Sequence, residues 1–453
     1  MQEQVDVVVV GLGPGGEFAA GELAAAGLDV IGIEAGLVGG ECPYWGCVPS
    51  KMMIRAGNAL AEAGRVPFLA GEGKAVADWD RVADRVRSEA ASGWNDRAAA
   101  GRLEARGVRL VRGTGRLAGP HRVIAGERAF EAARGVVLAT GSRPRVPPVP
   151  GLEGTPYWTN REAIEAEEVP ASMLVLGGGA IGVELAQVFA RFGCAVTVLE
   201  GGDRLLAQEE PEAGELAARA LRADGVTVRT GVRAVQIEHD GTMFEALLEG
   251  GLEPLRAERL LVATGRRPDL AALAVDTAGI DPAAPAVPTD GQLRAADGLW
   301  AIGDITGRGA FTHVAMYQAR IAVRDILGRP GPDADYRALP RVTFTDPEIG
   351  AVGLTERQAR ERGVRVRTAL VPIASSARGL VHGPGNEGFV KLVEDAGRGV
   401  LVGATSAGPT GGEVLYGLNV AVHAEVPTAR LEHMIYTYPT FHRTVEAALR
   451  ELR

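Results

Sequence analysis

Residues 5–34 read V-D-V-V-V-V-G-L-G-P-G-G-E-F-A-A-G-E-L-A-A-A-G-L-D-V-I-G-I-E. The β-branched run Val5–Val10 predicts a strand, the glycines a tight turn, and the alanine-rich stretch after them a helix. Gly11, Gly13 and Gly16 fit G-x-G-x-x-G, in which the first two glycines let backbone N–H groups approach a pyrophosphate at the helix N-terminus. The strand L-D-V-I-G-I-E then delivers Glu34, 23 residues after Gly11. An acidic side chain there accepts the ribose hydroxyls of an adenosine. Glycines alone are weak evidence; with strands on both sides and the acid at that interval they mark a dinucleotide-binding unit.

The pattern begins again at Met173: strand M-L-V-L, turn Gly177-Gly178-Gly179-Ala180-Ile181-Gly182, helix, and strand A-V-T-V-L-E. Gly177, Gly179 and Gly182 repeat the motif, and Glu200 again follows its first glycine by 23 residues. A second repeat accompanies the first. Ala139-Thr140-Gly141 ends one strand in a tight turn, and Ala263-Thr264-Gly265 ends another; such turns let backbone pass close to a bound nucleotide. Pro144, Pro147, Pro148, Pro150 and Gly151 mark a linker between the two units. Two nucleotide units in one chain imply electron transfer between two nucleotides. Glu200, where a reader of a 2'-phosphate would carry Arg, favours NAD over NADP, with Arg204 close enough to keep NADPH open.

Between the units lies G-G-E-C-P-Y-W-G-C-V-P-S-K, residues 39–51, which holds two of the three cysteines. On an unbroken helix Cys42 and Cys47 would be separated by roughly 7.5 Å of rise, too far for an unstrained bridge. Pro43 and Gly46 supply a bend, and the helical stretch that follows puts the pair near a helix N-terminus, which favours the thiolate. A redox disulfide, a plain buried pair and half of a metal site are the three readings. A zinc site would need further Cys or His at ligand spacing, and only Cys194 remains, in apolar surroundings that suit a small core residue. No metal site is expected.

The net charge of −9 argues against nucleic acid or an anionic membrane surface as the main partner. No apolar run reaches the length of a membrane span, and the first residues lack the basic region of a signal peptide. A cytoplasmic protein without membrane insertion is expected, and scarce cysteines suit a reducing compartment. Residues 52–107 read as two solvated helices. In L-W-A-I-G-D, Gly303 and Asp304 close a further strand; Asp304 reads either as an acceptor for a polyol such as ribitol or as a turn aspartate. From about Tyr336 the chain carries no phosphate loop and reads as an interface or lid domain.

With the cysteine stretch, both glycine motifs, both A-T-G turns, I-G-D and F-T-D-P-E in place, the whole chain resembles the class I pyridine nucleotide-disulfide oxidoreductases, especially dihydrolipoamide dehydrogenases. The resemblance implies an α/β fold with two Rossmann-like dinucleotide-binding domains, for FAD and NAD, and a C-terminal α+β dimerisation domain. Its expected boundaries are FAD 1–150, NAD(P) 151–270, FAD/central 271–335 and dimerisation 336–453. The resemblance further implies a homodimer, with FAD on the first glycine motif, Glu34 on its adenosine ribose and Asp304 on its ribitol, and NAD(H) on the second motif. Cys47 would face the flavin, Cys42 would be the interchange thiol, and Lys51 would pair with Glu184. The family moves a hydride from NADH to flavin and electrons on to the disulfide and an external disulfide, or runs the reverse with dihydrolipoamide.

One departure redirects the functional reading. The family's thiol base is a His-Glu pair in a C-terminal H-P-T-x-x-E, whereas here Tyr438 stands at the His position and Arg443 at the Glu position. A phenol with a pKa near 10 is a poor base at neutral pH. His442 and His433 are nearby substitutes, His442 beside the apolar stripe Phe441, Val445, Ala448 and Leu452, and Glu446 with Arg450 reads as an i,i+4 surface pair. The Y-P-T variant resembles soluble transhydrogenases and quinone-reducing relatives, whose acceptor needs no thiol acid-base step. The expected activity is oxidation of NAD(P)H, NADH favoured, with a small electron acceptor such as a quinone. The alternatives are a disulfide reductase with a replaced base, and a flavin-disulfide redox sensor.

Overall fold

The computed structural model describes residues 2–452 and divides them into two compact units. One comprises the chain up to Ser50 with residues 84–145 and 265–335; the other comprises 51–83, 146–264 and the chain from Tyr336 on.

The first unit is built on an eight-stranded sheet. Strand β1 (Gln2–Val10) lies at its centre, parallel to β2 (Val30–Glu34) on one side and to Arg128–Leu138 on the other. Arg109–Arg112 extends the sheet beyond β2, while Leu299–Ala301 and Arg294–Ala296 extend it beyond Arg128–Leu138. Val7–Val10 are buried, as a central parallel strand covered on both faces requires. Helix α1 (Pro14–Ala25) starts with Pro at its first turn and buries only small residues and Leu23. A Cβ at Gly15 would meet Ala315 at 3.0–3.1 Å, so small residues on α1 let the helix Thr312–Ile326 lie directly against it. That contact fixes where Thr312 falls.

In the second unit a four-stranded parallel sheet runs Thr227–Thr230, Ala195–Glu200, Ser172–Leu176, Arg259–Val262, with a three-stranded antiparallel sheet from residues 234–257 beside it in sequence. Its C-terminal segment forms a five-stranded antiparallel sheet from residues 340–408. Helices Gly411–His423 and His442–Glu451 share its apolar core through Val414, Leu415, Leu418, Phe441, Val445 and Leu449. The α/β architecture therefore matches the expectation. Among the described residues no helix is long and apolar enough to cross a membrane.

The stretch 52–107 departs from the two solvated helices expected of it. A single long helix covers Cys47–Leu69, and two shorter ones follow at Trp79–Arg85 and Arg97–Ala105. Trp79 is buried: its ring packs at 5.1 and 5.0 Å from those of Phe189 and Phe192, and its indole N–H donates to the Ala166 carbonyl at 3.0 Å. An indole in so charged a stretch is held by its apolar area, with a partner for its one donor.

A buried ammonium ties the nucleotide segment of the second unit to its C-terminal sheet. Lys391, 6% exposed, lies 3.0 Å from Glu210, 2.8 Å from Glu212 and 3.2 Å from Glu356. Removing one partner of a buried ionic cluster leaves uncompensated charge and costs about 3–5 kcal/mol. Lys391→Ala is expected to lower the urea midpoint of unfolding by that amount of stability; an unchanged midpoint would show that the three carboxylates rehydrate freely.

Candidate active site

The two glycine turns are built alike, atom for atom. Gly11 has φ +91° and Gly177 φ +109°, a region open to glycine. Each donates its N–H at 2.8 Å to the second strand of its unit, at Ile33 and Leu199. A Cβ at Gly16 would lie 1.9 Å from the Gly11 carbonyl oxygen, and one at Gly182 would lie 2.1 Å from that of Gly177. The third glycine of each motif is thus demanded by the turn folding back on its own helix.

The acids close the same turns. Glu34 accepts the N–H of Leu12 at 2.6 Å and of Gly36 at 2.7 Å, one on each oxygen. Glu200 accepts from Gly178 at 2.7 Å and Gly202 at 2.6 Å, again one on each oxygen. The A-T-G turns repeat too. Ala139 N–H donates to Val10 and Ala263 N–H to Leu176, both at 2.8 Å, and Cβ atoms at Gly11 and Gly177 would run into the Ala139 and Ala263 carbonyls. Around these turns Gly141, Gly179 and Gly265 border open space, and Gly13 meets nothing nearer than Gly40 at 4.0 Å. Open ground beside helix N-termini, with carboxylate lone pairs still unused, fits an adenine dinucleotide at each turn.

Gly303 and Asp304 open a short 3-10 turn after the strand Leu299–Ala301. Asp304 accepts the Ser142 hydroxyl at 2.6 Å, and Arg266 donates to that hydroxyl at 2.9 Å and to the Ser142 carbonyl at 2.6 Å. The two residues after the A-T-G turns are thereby tied together, in a two-stranded ribbon of Arg143–Pro144 with Arg266–Arg267. One oxygen of Asp304 stays available for a polyol.

The cysteines come together because the helix breaks between them. Glu41–Trp45 forms α2, Gly46 departs from helical geometry at φ −129°, ψ −113°, and Cys47 opens α3 (Cys47–Leu69). Both are thiols in this structure. The hydrogen bond between the two side chains, then burial, drives the Cys42 thiol well above its ordinary pKa, as expected when one proton is shared by two sulfurs. Burial pushes Cys194 up to about 12, in keeping with a core residue.

Along α3, Lys51, Asn58 and Arg65 recur every seven residues and so lie on one face. Lys51 reaches Glu184, 5% exposed, at 2.8 Å; Asn58 accepts from Arg191 at 2.7 Å; Arg65 reaches Asp346 at 2.7 Å, which Arg191 also meets at 2.9 Å. Glu184 takes the Phe344 N–H at 2.8 Å on its other oxygen. The pairing of Lys51 with Glu184 implied by the resemblance is present in the geometry.

At the C-terminus Tyr438 is 68% exposed, and the Arg443 guanidinium lies 5.8 Å from its ring centroid. His442 is exposed at the start of the last helix. Glu446 is no surface residue: it is 6% exposed and held by both Arg443 at 2.8 Å and Arg450 at 2.5 Å. Its helix buries a face wide enough to include it beside Val445, Ala448 and Leu449. Thr312, Ser142, Arg266 and Asp346 were not singled out from sequence; for Arg266 and Asp346 the signal was present in A-T-G-R-R-P and F-T-D-P-E. Among the described residues no group of three or more His, Cys, Asp or Glu is placed to hold a metal ion.

The chain matches the family model for pyridine nucleotide-disulphide oxidoreductases over residues 5–319 and the dimerisation domain of the same family over 339–449. It is 34% identical to a dihydrolipoyl dehydrogenase of Chlorobaculum tepidum, over 98% of this chain and 96% of that protein. It is 30% identical to a mercuric reductase of Bacillus cereus, over 98% and 71% respectively. Among solved structures it resembles the HOCl-induced flavoprotein disulfide reductase RclA from Escherichia coli (28% identity, 99% of both chains, TM-score 0.84) and LpdA from Mycobacterium tuberculosis (26%, 99% of both chains, TM-score 0.85). The chain belongs to the class I pyridine nucleotide-disulfide oxidoreductases, an enzyme family that binds FAD and a pyridine nucleotide.

Proposed function

We propose that this enzyme oxidises NADH and reduces a small acceptor of the quinone type. One observation carries the reading: Tyr438 and Arg443 occupy the positions of the family's base and its carboxylate, and they stack on each other with Arg443 paired to a buried Glu446. A guanidinium above the ring cannot take up a proton, and a phenol is a poor base at neutral pH. A thiol substrate needs a base worth about 10² to 10⁴ in rate, whereas a quinone takes its electrons without an acid-base step at a thiol and its protons can come from water. Bound FAD and NADH supply the hydride and electron chemistry. Around them the chain's tasks are to hold the first dinucleotide through Gly11, Gly13, Gly16, Glu34, Thr140, Gly141, Gly303 and Asp304, and the second through Gly177, Gly179, Gly182, Glu200 and Gly265. Cys47 is the thiol assigned to the flavin side and Cys42 the outer one; Lys51 and Glu184 fix the start of α3. The homodimer follows from the dimerisation domain, and a cytoplasmic location accords with the scarce cysteines.

A second reading, a disulfide reductase with another base, is favoured by the Cys42–Cys47 thiol contact and names His442 or His433 as base. Turnover separates the two. In parallel assays with benzoquinone and with dihydrolipoamide plus NAD, wild type and Cys42→Ser are both expected to turn over quinone at similar rates, with negligible lipoamide activity. Fast lipoamide turnover abolished by Cys42→Ser would establish the second reading.

Glu200 sets the preference for NADH. Its carboxylate is fixed by two backbone N–H groups beside the second glycine turn, where a negative charge disfavours a 2'-phosphate, and Arg204 donates to the Ala207 carbonyl at 2.8 Å. kcat/KM for NADH is expected to exceed that for NADPH by at least ~10-fold, the size of one unfavourable charge contact of about 1.4 kcal/mol, and Glu200→Gln to narrow the ratio. The opposite preference would make Arg233, whose side chain passes over Gly201, the phosphate reader.

A further inference from the structure

Past Glu200 the chain crosses a loop, residues 201–210, before the helix Pro211–Ala223 begins. Its near end belongs to the second glycine turn: Gly202 donates its N–H to Glu200 at 2.6 Å, and the Leu206 N–H donates to the Gly178 carbonyl at 2.9 Å. Leu206 holds φ +48°, a left-handed conformation that a leucine keeps only where its surroundings fix it. The far end is tied to the C-terminal sheet. Glu209 donates its N–H to the Leu206 carbonyl at 2.9 Å, and both oxygens of its carboxylate accept from Arg341 of the strand Pro340–Thr343, each at 2.8 Å. This bidentate pair is largely shielded from water, with side chains 11% and 18% exposed.

Arg204 is the one cation in the loop, and its side chain is turned from the nucleotide turn toward the helix. A Cβ at Gly214 of that helix would meet the Arg204 Cδ at 3.5 Å. One terminal nitrogen donates to the Ala207 carbonyl at 2.8 Å and reaches the Glu209 carbonyl at 3.4 Å, while the other lies 3.7 Å from Asp203. Its Nε is buried with no hydrogen-bond partner among the described residues. A buried donor left unpaired costs free energy, so the guanidinium gives up one of its bonds to lie here. The carbonyls that hold it belong to the segment whose end the Glu209–Arg341 pair secures.

We propose that Glu209 and Arg341 are positioning residues for nucleotide specificity: their ion pair holds the loop so that Arg204 faces the helix Pro211–Ala223, and a 2'-phosphate meets Glu200 without a counter-cation. The proposal deepens, and rests on, the reading of Glu200 as the acid that selects NADH. Two devices then act in the same sense, a carboxylate that repels the phosphate and a clamp that withholds the loop's cation. Once released, Arg204 has only to swing its side chain about a backbone already beside Gly202, where a Cβ would lie 4.0 Å from the Arg204 carbonyl. A guanidinium free to turn that way pairs with phosphate through two parallel N–H donors.

The test is calorimetric titration of the FAD-loaded protein with 5'-AMP and with 2',5'-ADP, which differ by the 2'-phosphate alone. Glu209→Leu/Arg341→Leu removes both charges at once, so neither is left buried and uncompensated. Glu210 stays on Lys391 at 3.0 Å, which keeps the start of the helix anchored while the loop is freed. The 5'-AMP affinity is expected to stay within about twofold of wild type, and the affinity ratio of 2',5'-ADP to 5'-AMP to rise ~tenfold, the size of one charge-assisted contact. Adding Arg204→Met to the double variant is expected to cancel the rise, and Arg204→Met alone to leave the wild-type ratio unchanged. If the leucine pair loses 5'-AMP binding, Glu209→Gln/Arg341→Gln, uncharged but polar, takes its place under the same expectations; loss of binding in both overturns the proposal, because the pair would then serve the site as a whole. An unchanged ratio overturns it too, as does a rise that survives Arg204→Met, which would belong to Arg233 beside Gly201. A fall in the ratio from Arg204→Met alone would show that Arg204 already meets the phosphate, with the same consequence. A wild-type preference for 2',5'-ADP would remove the NADH reading, while the response to the clamp variants still decides the role of Glu209 and Arg341.

Discussion

Two carboxylates, each accepting a backbone N–H on either oxygen, are the constraint on which both glycine turns depend. Glu34 joins the glycine turn after β1 to the end of β2, and Glu200 does the same in the second unit. Hydrogen bonds from backbone to an ionised carboxylate are among the stronger ones a protein makes. Each fixes the distance between the two strands' ends, where the proposed reading puts an adenosine. The glycine geometry then follows, because a turn held so tightly brings the third glycine to within contact of the first one's carbonyl. Duplication is preserved in this geometry down to tenths of an ångström, although the residues between the shared positions differ.

The redox end of the chain obeys a different constraint. α3 has Cys47 at its first position and is fastened along one face by Lys51, Asn58 and Arg65. Its partners Glu184 and Arg191 sit on the helix that begins at the second glycine turn, and Gln187 between them grips the Asp346 backbone at both N–H and carbonyl, 2.8 and 2.9 Å. Asp346 thus gathers Arg65 and Arg191 on one oxygen while its own peptide is clamped. A helix pinned at three points two turns apart has little freedom to slide against the helix that carries Glu184 and Arg191.

How much of this was legible in the sequence depended on whether a residue's role is local. The glycine turns, the acids 23 residues on, the repeated A-T-G and the break at Gly46 were readable, because each reflects what a short stretch of backbone can do. Lys51 with Glu184 came only through the family resemblance, and no spacing links them. Thr312 and Ser142 gave no signal at all: a threonine at a helix start and a serine after a glycine are commonplace until packing places them beside sulfur and carboxylate. Trp79 was misread as part of a solvated helix because charged neighbours hid one indole, and Glu446 as a surface residue because its helix buries a broader face than a narrow stripe would.

Tyr438 and Arg443 stand at the sequence positions where the family pattern carries its thiol base and that base's carboxylate, and the proposed acceptor depends on that substitution. The most direct measurement is kcat/KM for dihydrolipoamide oxidation in the double variant Tyr438→His/Arg443→Glu, compared with wild type. If the absent base is what bars thiol substrates, the variant gains lipoamide activity by about 10² to 10⁴, the worth of a positioned general base. If wild type already oxidises dihydrolipoamide rapidly and the double variant adds nothing, the Tyr438–Arg443 pair does not define the acceptor, and the quinone assignment falls.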